Sequence, residues 1–157
     1  MVQSDHFPTI ERLQDCIIVP YQVCETTIDN HTSWQYQEYR IPDTGQQFGE
    51  DEYKAVLLNL LNQEVGNFIC SRYDSGTQSS FLALSLESDQ VKTAIQPVWG
   101  WIKVVMAYYY EIKTKISNSG SKELGIITWD FEQFDKTDPG IQLGNLMSAV
   151  TKQLVSR

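Results

Sequence analysis

Histidine and cysteine are scarce, and basic residues are nowhere concentrated. The 157 residues include two histidines, three cysteines and 12 Lys+Arg against 20 Asp+Glu, for a formal net charge of −8. Phosphate recognition draws on clustered Lys and Arg, so this balance argues against a nucleic-acid partner. His6 falls in the N-terminal stretch and His31 in a polar turn. Neither has a neighbour that would complete an acid–base pair or a zinc site. Cys16, Cys24 and Cys70 are odd in number and contain no C-x-x-C pair. That argues against a disulfide framework and a cysteine zinc site, and the three read as small buried hydrophobes. There is no G-x-S-x-G elbow, no P-loop and no dinucleotide-binding glycine pattern. No catalytic residue, metal ligand or cofactor is therefore assigned.

Long apolar runs are missing too. A bilayer-spanning helix needs roughly 18–20 uninterrupted apolar residues. The nearest approach, residues 98–116, is broken by Lys103, Glu111, Lys113 and Lys115, so no membrane partner is expected. The opening MVQSDHFPTIERLQD has neither the basic start nor the apolar core of a secretion signal. The expected location is the cytoplasm, or a particle assembled in the cytosol. Without secretion, Asn30-His31-Thr32 matches a glycosylation acceptor only by chance.

What is present is an ordinary globular composition, 41% hydrophobic and 20% charged, at a length suited to a single domain over residues 1–157. Residues 16–19 read as a short strand ending at Pro20. In residues 33–41, Trp34 and Tyr36 alternate with Gln35 and Gln37, the period of a strand. Pro42-Asp43-Thr44-Gly45 is a turn by composition. Residues 50–65 read as a helix: Tyr53, Leu57, Leu61 and Val65 recur every fourth residue, acids occupy the first turn, and Gly66 serves as the stop. Residues 68–73 and 80–86 flank Asp74-Ser75-Gly76-Thr77 in the manner of a hairpin. Residues 88–96 suit a short helix ending before Pro97.

Residues 98–116, VWGWIKVVMAYYYEIKTKI, support two periods. Val91, Ile95, Val98, Ile102, Val105, Tyr109, Ile112 and Ile116 follow an alternating four–three spacing, which is helical. Val98, Ile102, Val104, Met106, Tyr108, Tyr110, Ile112 and Ile116 all fall on even positions, which is a strand pattern. The density of Val, Ile, Thr, Trp and Tyr favours the strand, as do Pro97 and Gly100. On that reading Ser117-Asn118-Ser119-Gly120 turns the chain and residues 124–134 return as a partner strand. Asp138-Pro139 then caps a final helix over 139–156 with Leu143, Leu146, Met147, Val150 and Leu154 on its apolar side. The expected fold class is α+β: an antiparallel sheet with a long C-terminal hairpin, packed by a middle helix and a C-terminal helix.

Three groups of residues bear on function. Asp130, Glu132, Asp135 and Asp138 form the best metal candidate, since strand residues two apart share a face. Their alternation with Trp129 and Phe131 fits the solvated face of a strand better. Glu111-Ile112-Lys113 resembles the acid–lysine kernel of restriction-endonuclease-like nucleases, a pattern common by chance and at odds with the acidic charge. Trp99, Trp101 and Tyr109 would point away from the even-numbered core face of the strand. They are the expected contact surface for a protein partner or self-association. The expected function is a non-enzymatic interaction or assembly subunit, of a size and hairpin length that suit a ring or phage-like particle. The alternative is a small carboxylate- or metal-dependent enzyme such as a hydrolase or nuclease.

Overall fold

Asp29 and Asn30 make a two-residue turn with φ of 50° and 62°. Positive φ at both central positions matches the right-handed twist of the flanking strands, and Asn and Asp tolerate it better than most side chains. The turn joins β3 (Cys16–Ile28) to β4 (His31–Pro42), an antiparallel pair in register from Cys16 opposite Pro42 to Ile28 opposite His31. With β1 (Val2–Ser4) and β2 (Glu11–Arg12) they form a four-stranded antiparallel sheet in the order β1-β4-β3-β2. A bulge interrupts β3 between Tyr21 and Cys24, with Gln22 at φ 52°. It turns the Val23 N–H out of the ladder to donate to the Gly125 carbonyl at 2.8 Å.

The structure, a computed structural model, describes residues 1–148. The chain divides into two compact units: Met1–Leu61 with Tyr110–Asp130, and Asn62–Tyr109 with the residues from Phe131 on. Helices α1 (Glu50–Arg72) and α3 (Asp89–Asn118) each contribute residues to both units; α2 (Ser75–Glu87) belongs to the second and α4 (Ser121–Leu124) to the first. The fold class is α+β. In the first unit the sheet residues Ile17, Val19, Tyr21 and Val23 are buried, as are Leu57 and Leu61 of α1 and Ile112 and Ile116 of α3. In the second, the core comprises Val65 and Ile69 of α1, Tyr73 just after it, Phe81 of α2, and Val91, Ile95, Val98, Trp101, Val105 and Tyr109 of α3.

Several expectations are corrected. Helix α1 does not stop at Gly66. A glycine inside a helix costs roughly 1 kcal/mol relative to alanine, but the apolar stripe continues past it through Ile69 and Tyr73, both buried. Residues 68–73 and 80–86 form no hairpin: 68–72 belong to α1 and 80–86 to α2. Asp74 is the N-cap of α2, its carboxylate accepting the Thr77 N–H at 2.6 Å. Residues 98–134 form no C-terminal hairpin: α3 runs unbroken through Pro97 and Gly100 to Asn118, and no strand follows residue 42 among the described residues. The sheet lies at the N-terminal end instead. Residues 126–130 carry no regular structure, and Glu132–Thr137 is a short 3-10 helix. Asp138 caps no helix: it ends the 3-10 turn, Gly140 follows at φ 62°, and helical backbone resumes over 143–148. The remainder of the expected final helix lies outside the described residues.

Candidate interaction surface

Two helical faces of the second unit line an open groove of about 620 Å³. Ser75, Gln78, Ser79 and Leu82 come from α2, at offsets that place them on one face of the helix. Gln96, Trp99, Ile102 and Lys103 come from α3, again one face. Two polar side chains on the α2 side are engaged locally. The Ser79 hydroxyl donates to the Ser75 carbonyl at 2.8 Å, and the Gln78 amide donates to the Tyr73 carbonyl at 2.6 Å. That leaves the methyls of Leu82, the indole of Trp99 and the side chain of Ile102 as the apolar lining. Leu82 is 56% exposed and Leu86, one turn further on, 89% exposed. Trp99 and Ile102 are half-buried. Lys103 makes no ion pair with the described residues and supplies a lone positive charge on the α3 wall.

The three expected interface residues separate. Trp99 lines the groove. Trp101 points the other way, into the core of the second unit. It is 5% exposed, its ring centroid lies 5.6 Å from Phe68 and 5.8 Å from Tyr73, and its indole N–H donates to the Phe134 carbonyl at 3.0 Å. Tyr109 is also buried, its hydroxyl donating to the Asn62 side-chain oxygen. The reason is the helix. On a strand, positions 99, 101 and 109 share a face; at 100° per residue, positions 99 and 101 lie about 200° apart. Leu82, Ile102 and Lys103 were missed as groove residues. For Ile102 the signal was a second stripe on α3, Trp99, Ile102 and Met106, running beside the buried one.

The acidic candidates do not converge. Asp135 and Asp138 both pair with Arg72, through its Nη2 and through its Nε at 3.9 Å. Asp138 also accepts the Tyr73 hydroxyl at 2.5 Å. Burial, with Asp138 adding to it, pushes the Tyr73 hydroxyl up to about 12. Asp130 and Glu132 do not share a strand face, because neither lies on a strand. Glu111 is on α3, where its carboxylate accepts Lys115 Nζ at 2.7 Å one turn away, so the strand-borne acid–lysine arrangement is lost. Among the described residues no group of three or more His, Cys, Asp and Glu could hold a metal ion. His31 reaches Asp5 at 3.0 Å on the surface. Cys24 and Cys70 are exposed and Cys16 half-buried, which corrects the reading of all three as buried hydrophobes. Among the described residues no helix is long and apolar enough to cross a membrane.

No family model matches this sequence, and no curated protein and no solved structure matches it either.

Proposed function

We propose that the chain is a non-enzymatic protein-interaction or assembly subunit whose α2–α3 groove receives the apolar side chains of another protein chain. The observation that carries this reading is the exposed Leu82 lining the same groove as the half-buried Trp99. Tryptophan beside an aliphatic wall is the composition of an interface anchor site, since it buries a large area at little cost in side-chain entropy. Lys103 at the edge of that apolar lining favours a partner segment with a carboxylate beside its apolar residues. An amphipathic helix of that kind would present anchors at i, i+3 or i+4 and i+7 along the groove. Membership of a ring or phage-like particle drew on the long hairpin expected over 98–134; α3 occupies that stretch, so no such particle is proposed. No observation favours the carboxylate-enzyme alternative.

A photo-reactive amino acid at position 82, irradiated in the cells that make the protein, tests the reading. A discrete crosslinked species that disappears when Trp99→Glu is added is the expected result. Absence of any such species, or one indifferent to Trp99→Glu, overturns it.

A further inference from the structure

The first unit holds a second, independent cavity of about 510 Å³. This is within the roughly 300–1,000 Å³ of small-molecule sites. Its walls are largely apolar: Phe7, Pro8 and Ile10, with Thr9 beside them, from the stretch between β1 and β2, Pro20 from β3, and the ring of Tyr53 from α1. Two polar groups of these walls are already engaged with each other. The Tyr53 hydroxyl donates to the Pro20 carbonyl, and proline has no N–H to offer. Phe7 and Ile10 are 41% and 36% exposed, more apolar surface than a satisfied core leaves in water.

Glu50, Ser121 and Lys122 also line the cavity. Glu50 is fully occupied. Its carboxylate accepts Lys54 Nζ at 2.8 Å and the Ser121 hydroxyl and N–H at 2.9 and 3.0 Å. The Lys54 ammonium first, and then Ser121, hold that carboxyl below its ordinary range, so it stays ionised and its charge is matched. Lys122 has no ion pair and no side-chain hydrogen bond with any described residue. Among the lining side chains Glu50 is matched by Lys54 and Lys122 is a positive charge without a partner among the described residues, so a largely apolar cavity with that lysine in its lining is complementary to an amphipathic anion.

We propose that this cavity is a binding site for a small amphipathic carboxylate, an aliphatic or aryl-aliphatic acid. Its body would lie against Phe7, Ile10, Pro20 and Tyr53, and its carboxylate would meet Lys122. Decanoate, kept below its micelle concentration, is the probe, with decanol as the uncharged control. Both are titrated into isotopically labelled protein while amide shifts are followed. Saturable shifts at Ile10, Tyr53 and Lys122 are expected with decanoate, and weaker binding with decanol. Lys122→Glu should weaken decanoate about three- to tenfold, the scale of an exposed ion pair turned into a like-charge pair, and leave decanol unchanged. Ile10→Asp should weaken both. Absence of saturable decanoate shifts at these positions overturns the site. Equal binding of decanol and decanoate with Lys122→Glu silent overturns its assignment to an anion.

Discussion

The β3–β4 hairpin and helix α3 draw on similar residues and fold in opposite ways. Both are rich in Ile, Val, Tyr and Thr. In the hairpin nothing in the hydrophobic pattern opposes the residue preference, and strands form at 16–19 and 33–41, with β3 running on to Ile28. In α3 they conflict, and the period wins. Val91, Ile95, Val98, Val105, Tyr109, Ile112 and Ile116, all on the four–three spacing, are buried, whereas Val104 and Tyr110 of the even-numbered set are 54% and 57% exposed. Magnitudes explain the outcome. Helix propensities of ordinary residues differ by at most about 0.7 kcal/mol, while burying one Val or Ile side chain is worth roughly 1.5–3 kcal/mol. A pattern that buries these Val and Ile side chains together with Tyr109 outweighs a unanimous local preference.

The strongest way to break this contrast is to attack the buried stripe. Trp101→Ala should lower stability by about 3–5 kcal/mol in urea titration, the cost of emptying a large aromatic site. A loss below about 1 kcal/mol would mean that Trp101 is not core. Next in size is Pro97→Ala. Proline inside a helix has no N–H for the Thr93 carbonyl and costs about 3 kcal/mol. Its removal should raise stability by about 1–3 kcal/mol if α3 is continuous. A neutral or destabilising result would restore a break before Val98. Asp74→Ala should cost about 1 kcal/mol by removing the cap of α2, whereas a loop aspartate would cost next to nothing.

The smallest effect is electrostatic. Burial raises the Tyr53 hydroxyl from 10.0 to about 12. The folded state therefore holds this proton more tightly than the unfolded chain. Its contribution is complete below pH 10 and is lost as pH rises through about 12. Tyr53→Phe should flatten the decline of melting temperature across that interval relative to the parent protein, and an unchanged slope would contradict the burial of Tyr53.

Much of the fold was legible where one residue type could mean only one thing. The strands at 16–19 and 33–41 and the start of α1 are in place, although β3 runs on to Ile28. The bulge at Gln22 breaks the alternation of β3, so its second half does not read as a continuation. Gly66 and Gly76 misled because glycine marks both a stop and a tolerated interior position, and only packing of Ile69, Tyr73 and Phe81 distinguishes them. Asp74 reads equally as a turn residue or an N-cap. Of the interface triad, Trp99 lines the candidate groove, while Trp101 and Tyr109 followed a strand phase that α3 does not have. The cavity proposed to bind a carboxylate had no sequence signal, since its lining comes from separate stretches of the chain that run from Phe7 to Gly125.

Trp99 and Trp101 stand two residues apart and make the most direct test. The melting temperature and the mass of the complex formed in the native cell are to be measured for Trp99→Glu. The account requires a variant that melts with the parent protein and has lost its partner, because the indole of Trp99 lines an open groove rather than the core. A Trp99→Glu protein that keeps its partner, or that unfolds, would contradict it.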